Sequence, residues 1–159
     1  MTAETLSIGI VQCALGGARE ENADRVLALV REAAKLGAKL VVTPELLEGP
    51  YFCREEKDAY FEEARPVEGN ATLARFQALA KELGVVLPFS FFEKAGNAYY
   101  NTLAMVDADG ALLGPYRKSH IPDGPGYEEK FYFRPGDTGF RVVETKAGTG
   151  GCAECGDQC

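Results

Sequence analysis

The amino-terminal segment constrains the fold most. An apolar run over residues 6–13, closed by Gly16 and Gly17, reads as a short buried strand. Behind it Val26, Leu29, Val30 and Ala33 recur at helical spacing, with Asn22 placed to cap the helix and Gly37 just past its last turn. Residues 39–42 then read as a second strand. Two short strands joined by a helix pair in parallel through a right-handed crossover.

The alternation continues downstream. The spacing predicts a second helix over residues 71–83, with Asn70 as its cap and Gly84 as its stop. A third strand follows at 85–92, although Pro88 cannot donate to a ladder in its middle. Gly96-Asn97 marks a hairpin into a strand at 98–106, and Asp107-Ala108-Asp109-Gly110 turns the chain into another at 112–117. A loop rich in Pro and Gly covers 121–127, and residues 140–145 and 151–155 read as two further strands. Alternating strand and helix first, then antiparallel hairpins, indicates an α/β layered fold with a mixed sheet. There is no internal repeat, and 159 residues with an apolar fraction of 46% suit a single domain with a real core.

Charge and composition exclude several function classes. The net charge is -7 and no cluster of Lys or Arg stands apart from neighbouring acids, so nucleic acid is a poor partner. The apolar stretches at 8–14 and 85–92 fall far short of the roughly 20 residues that span a bilayer. The start, MTAETLSIGI, lacks the pattern of a secretory signal, which makes a cytoplasmic address the expectation. Five cysteines, an odd number in a chain without an export signal, favour reduced thiols, and Cys152, Cys155 and Cys159 crowd into the last eight residues.

Three segments place a reactive side chain where a strand runs into a loop: Val42-Thr43-Pro44-Glu45, Tyr116-Arg117-Lys118-Ser119-His120 and Ala153-Glu154-Cys155-Gly156-Asp157. A carboxylate, an ammonium and a thiol form a workable set for acyl transfer. The thiolate attacks a carbonyl carbon, the carboxylate takes the proton and later activates water, and the ammonium neutralises the developing oxyanion. Taken singly, each has a plainer reading: Glu45 as a loop or helix-start carboxylate, Lys118 as a solvated charge, Cys155 as a small buried hydrophobe. Composition and spacing leave that choice open.

Two stretches carry a resemblance that addresses it. They are Glu45-Leu46-Leu47-Glu48-Gly49-Pro50-Tyr51-Phe52-Cys53 and Tyr116-Arg117-Lys118-Ser119-His120-Ile121-Pro122-Asp123-Gly124-Pro125-Gly126-Tyr127, continued by Glu129-Lys130-Phe131-Tyr132-Phe133 and Pro135-Gly136-Asp137. Through them the sequence resembles the nitrilase superfamily of carbon-nitrogen hydrolases, and within it the N-carbamoylputrescine amidohydrolases, over nearly the whole chain. The resemblance implies a nitrilase-type α-β-β-α sandwich and a Glu, Lys, Cys triad that falls on Glu45, Lys118 and Cys155, with Glu129 as a supporting glutamate that helps orient the substrate. It implies hydrolysis of a small N-carbamoyl amine through a thioester-type intermediate, giving putrescine, carbon dioxide and ammonia, with no metal or organic cofactor. It also implies a homo-oligomer. Relatives acting on β-ureidopropionate or simple amides share the triad.

The sequence departs from that pattern around Cys155. Where relatives have an apolar strand, the nucleophile, Trp, Asp, Gln and Trp, this chain has Cys152 and Glu154 on the strand and Gly156, Asp157, Gln158 and Cys159 after it. Strand alternation sets Glu154 on the face opposite Cys155, which the resemblance implies is packed, and an unpaired carboxylate there costs several kcal/mol or is protonated. The Gly156 N-H remains available to an oxyanion. Because family members run well past the nucleophile, the expectation is a single incomplete domain over 1–159, the amino-terminal part of the sandwich, with apolar sheet faces left uncovered.

Two other readings compete. Cys152, Cys155 and Cys159 form a C-x2-C-x3-C tail of the kind that binds zinc or an iron-sulfur cluster, without a fourth ligand nearby. A catalytically silent binding or assembly protein that keeps the triad is the other. His120, two residues after Lys118, reads as a loop-packing residue before it reads as a base, and Asp123, Glu128 and Glu129 are candidates for attracting an amine cation.

Overall fold

In the computed structural model, residues 5–155 and 157 are described. Strand β1 (Ile8–Ile10), helix α1 (Arg19–Lys35) and strand β2 (Leu40–Val42) form the expected crossover, with β1 and β2 parallel and Ile8 opposite Leu40. The helix packs so close to β1 that a Cβ on Gly9 would stand 2.9 Å from the Ala33 Cβ. Helix α1 begins earlier than the sequence suggests, capped by Ala18, and Asn22 lies inside it. Asn22 still serves the helix start, since its amide donates to Gly17 O at 3.1 Å and its Oδ1 accepts from Gly17 N at 3.3 Å.

Helix α2 (Ala71–Leu83) has the expected ends. Asn70 Oδ1 accepts from Leu73 N at 3.0 Å, and Gly84 closes the helix in the left-handed region at φ 63°. Asn70→Ala removes the acceptor from an orphan helix N-H and should lower the unfolding free energy by about 1 kcal/mol. Urea denaturation at unchanged m-value checks this; an unmoved midpoint would show that the cap contributes nothing.

The three following strands are one antiparallel meander: β3 (Leu87–Ala95), β4 (Ala98–Val106) and β5 (Leu112–Arg117). It is joined to β2 just ahead of β3, where Val41 N donates to Val86 O at 2.9 Å and Val86 N to Lys39 O at 2.9 Å. The strand order is therefore β1-β2-β3-β4-β5, parallel on one side and antiparallel on the other. The next donor toward β2 in a parallel ladder would be residue 88, and proline has none. The ladder ends there, and Thr43 Oγ1 donates to Pro88 O at 2.6 Å in its place. Pro88 thus marks where β2 peels away and the loop bearing Glu45 starts.

Helices α1 and α2 cover one sheet face. Val26, Val30, Leu73, Phe76 and Leu79 meet Val41, Leu87, Phe89 and Phe91 in the main core. On the other face lies a hairpin of β6 (Arg141–Thr145) and β7 (Gly148–Cys152), whose Val143 and Cys152 pack on Val86, Met105 and Tyr116. Strand β7 begins and ends three residues before the expected 151–155 run, because its register is set by pairing with β6 rather than by its own glycine-rich sequence. Beside the hairpin the sheet face stays open: Ile8 is 55% exposed, Ile10 77% and Val42 39%. No helix among the described residues is long and apolar enough to cross a membrane.

Candidate active site

The loop after β2 is pinned by two consecutive leucines that enter different cores. Leu47 is buried in the main cluster under the helices, while Leu46 joins a second, largely aromatic cluster with Phe52, Phe92, Tyr132 and Phe133. Glu45 precedes this pair and its side chain emerges at the carboxyl end of β2, about one third exposed.

Lys118 follows β5 and is fixed by its backbone. Its N-H donates to Asn101 O at 2.9 Å and its carbonyl accepts from Gly136 N at 2.8 Å. Glu129 opens the short helix α3 (Glu129–Tyr132). That helix is stapled to the loop after Glu45, with Glu128 N donating to Cys53 O at 2.7 Å and Tyr132 OH to Glu55 O at 2.6 Å. Phe52 lies edge-on to Tyr132 at 4.9 Å and tilted against Phe92 at 5.0 Å, so an aromatic floor supports the acid.

These three side chains meet. Lys118 Nζ lies 3.0 Å from Glu45 Oε1 and 2.9 Å from Glu129 Oε2, with the lysine side chain 1% exposed. Burial by itself would lower the lysine pKa, but the two flanking carboxylates overcome it and hold the ammonium above its ordinary range. Asn101 Nδ2 donates to Glu45 Oε1 at 2.6 Å and Tyr51 OH to Glu129 Oε1 at 2.7 Å, so both acids are oriented. Burial, and then the Glu129 carboxylate, push the Tyr51 hydroxyl well above its ordinary pKa, which keeps it a donor. A fixed cation between two oriented carboxylates can neutralise a developing negative charge while one acid moves a proton.

Cys155 is placed by the turn after β7 rather than by a strand, and it is exposed, which excludes the buried-hydrophobe reading. Asp157 ties this turn to the segment after β5: its carboxylate accepts from His120 N at 2.8 Å, from Glu154 N at 3.1 Å and from Tyr116 OH. His120 also sets Nδ1 3.1 Å from Asp157 and stacks on Phe140, the loop role expected of it. Glu154 is buried, as alternation suggested, although it stands in the turn. Cys53, buried beside Glu45 and Glu129, is a different thiol, since burial and those acids push its pKa well up and keep it protonated.

Among the described residues no group of three His, Cys, Asp or Glu side chains converges as a metal site. Cys152 packs into a hydrophobic cluster, and Gly156 and Cys159 lie outside the described residues. Asp123 sits 4.0 Å from Lys130 at the exposed rim. Asn101, Tyr51 and Ser90 are site residues that sequence reasoning passed over. The signal for Asn101 and Ser90 was present as a polar side chain inside an apolar strand run.

The carbon-nitrogen hydrolase family profile matches residues 7–159. The chain belongs to the carbon-nitrogen hydrolase family. This hydrolase-family chain is 56% identical over 153 residues to an N-carbamoylputrescine amidase of Oryza sativa subsp. japonica, covering 96% of the chain and 51% of that relative. It is 43% identical to a citrullinase of Francisella tularensis, covering 96% of the chain and 54% of the relative. A crystal structure of a carbon-nitrogen hydrolase from Helicobacter pylori superposes with a TM-score of 0.82 at 39% identity, over 89% of this chain and 48% of that one. The chain thus spans about half the length of the relatives it matches and has the fold of the amino-terminal part of the nitrilase-type sandwich.

Proposed function

We propose that the protein hydrolyses the carbon-nitrogen bond of a small N-carbamoyl amine, N-carbamoylputrescine first among them, with Cys155 as nucleophile, Glu45 as general base and acid, Lys118 as the cation facing the oxyanion, and Glu129 as the group that orients both lysine and substrate. The observation that carries this reading is the Glu45–Lys118–Glu129 cluster, with Lys118 1% exposed between two oriented acids. A lysine enclosed in that way is poorly explained as a solvated surface charge. Cys155 follows directly on Glu154, whose buried carboxyl lies within electrostatic reach of Glu45 and Lys118.

In the proposed reaction Glu45 takes the Cys155 thiol proton as sulfur attacks the ureido carbon, and the oxyanion forms opposite Lys118. Collapse expels one nitrogen, which carries away the proton from Glu45. Glu45 next takes a proton from water as the water oxygen attacks the thiocarbamate carbon, and sulfur leaves with that proton, which restores the Cys155 thiol and the Glu45 carboxylate. The carbamic acid released breaks down to carbon dioxide and the second nitrogen compound. In this proposal the chain forms the amino-terminal part of one longer domain, which the relatives' lengths and the open apolar face at Ile8, Ile10 and Val42 support.

The test is ammonia release from N-carbamoylputrescine, β-ureidopropionate and citrulline, beside alkylation of the thiols by an electrophilic probe near neutral pH. The expected outcome is turnover of the carbamoyl amine and labelling of Cys155 ahead of Cys13, Cys53 and Cys152, absent in Cys155→Ala. Labelling spread evenly over the accessible thiols, with no ammonia from any of the three compounds, would refute the reading.

A further inference from the structure

Leu46, immediately after Glu45, has φ 49° and is the single non-glycine residue with positive φ among those described. A leucine in that region is strained, so its surroundings must impose the conformation. The constraint comes from Ser90 on β3: Leu46 N donates to Ser90 Oγ at 3.0 Å, and Leu47 N to Ser90 O at 3.1 Å. Because the Ser90 oxygen accepts from Leu46, its own hydrogen needs another acceptor. That acceptor is Glu154 Oε1, at 3.1 Å. A relay of hydrogen bonds therefore runs from the backbone next to Glu45, through β3, to the residue next to Cys155.

We propose that Glu154 is a positioning residue: through Ser90 it locks the strained backbone that presents Glu45, and so couples that acid to the turn that carries Cys155. Its functional meaning rests on the reading of Glu45 and Cys155 given above, while the relay itself stands on geometry. An apolar residue at position 154 would leave the Ser90 hydroxyl hydrogen without an acceptor in a buried place, which gives a physical use to a carboxyl where the family resemblance leads one to expect an apolar side chain.

The charge state of Glu154 fits this role. It is 7% exposed, and its Oε2 is buried without a hydrogen-bond partner among the described residues. The groups around it are Glu45 after β2, Ser90 on β3, Lys118 after β5 and Asp157 in its own turn. Burial first and Glu45 second push the carboxyl up to about 8, against the pull of Lys118 and Ser90, with Asp157 adding to the rise. At neutral pH Glu154 is thus mainly a neutral acid whose Oε1 accepts from Ser90. Lys118 is then left with two carboxylates to balance, not three.

The sign of the pH effect follows. The folded carboxyl binds its proton more tightly than the unfolded one, so the stabilisation is complete below the ordinary carboxylate range and is lost as pH rises through about 8. In Glu154→Gln the amide oxygen still accepts from Ser90 and nothing titrates. In Glu154→Leu the relay is cut.

Amide hydrogen exchange by NMR at Leu46 and Leu47, together with thermal unfolding between pH 5 and 9, tests the proposal on the chain as it is. The leucine variant should exchange the Leu46 amide roughly tenfold faster, as expected for loss of one buried hydrogen bond, while the glutamine variant stays near the parent. The glutamine variant should also lack the parent's decline in melting temperature with rising pH. Unchanged Leu46 exchange in Glu154→Leu, or the same pH slope in Glu154→Gln as in the parent, overturns the proposal. Should the leucine variant not fold, Ser90→Ala cuts the relay at its middle, and unaltered Leu46 exchange there overturns it equally. Fast exchange in the cut variants of a protein whose Cys155 ignores electrophiles would support the positioning role while refuting the hydrolase reading.

Discussion

Glu45→Gln should lower the rate of ammonia release by roughly 10²–10⁴-fold, the usual contribution of a positioned general base, with little effect on stability. The substitution keeps the shape of the side chain and its Oε1, so Asn101 and Lys118 still have the acceptor they approach at 2.6 and 3.0 Å. What the proposed role loses is the capacity to take a proton from the thiol and later from water. Lys118 retains Glu129 as its counter-ion at 2.9 Å, so no buried charge is stranded. The informative comparison is kcat for the preferred carbamoyl amine against the urea midpoint of the same preparation. Activity within threefold of the parent would remove Glu45 from the chemistry.

Lys118→Met should act on the fold as well as on turnover. Methionine fills similar space but deletes the cation between Glu45 and Glu129. The Glu129 side chain is 4% exposed, so its carboxylate would stay buried with the Tyr51 hydroxyl as its remaining partner among the described residues. Breaking a buried ion pair from one side costs about 3–5 kcal/mol, a large part of the 5–15 kcal/mol that stabilises a typical domain. Adding Glu129→Gln to Lys118→Met should restore part of that loss, because the stranded charge is then removed, and the pair of variants will be non-additive. A loss below about 1 kcal/mol in Lys118→Met would mean that the cluster is solvated, and that the enclosed lysine is not what holds α3 against β5.

The helix and hairpin limits show which parts of this fold the sequence discloses. Helix α2 was legible at both ends because its stop and start are local devices: Asn70 closes on Leu73, three residues away, and Gly84 takes a left-handed conformation that costs glycine little. Gly96-Asn97 set the β3-β4 hairpin for the same reason. Strand β7 was displaced because Gly148, Gly150 and Gly151 carry little strand preference, and its place comes from its partner, with Val142 opposite Gly151. Helix α1 starts earlier than its pattern indicates because Asn22 bonds backward to Gly17 from inside the first turns, a geometry that its sequence position does not distinguish from a cap.

The site divides along the same line. Glu45, Lys118, Glu129 and Cys155 are candidates from the motifs around them; the structure brings the first three together, and the residues that orient Glu45 and Glu129 carry no such motif. Asn101, Tyr51 and Ser90 reach the site from 56, 78 and 44 residues away in the chain from Glu45, Glu129 and Leu46, across strands and loops whose juxtaposition no local pattern encodes.

The sequence alone determined the layered α/β class, the β1-α1-β2 crossover, the β3-β4-β5 hairpins and, through the motifs that resemble carbon-nitrogen hydrolases, the candidate site residues. Those features follow from periodicity, turn chemistry and short motifs, which act over a few residues. Tertiary structure decided the rest: that Lys118 is enclosed between two acids, that Pro88 ends the parallel ladder and lets the Glu45 loop depart, and that Glu154 bonds to Ser90 from a turn. Each depends on distant segments being brought within hydrogen-bond reach in a low-dielectric interior, where burial and neighbouring charge set protonation in ways that linear position does not record.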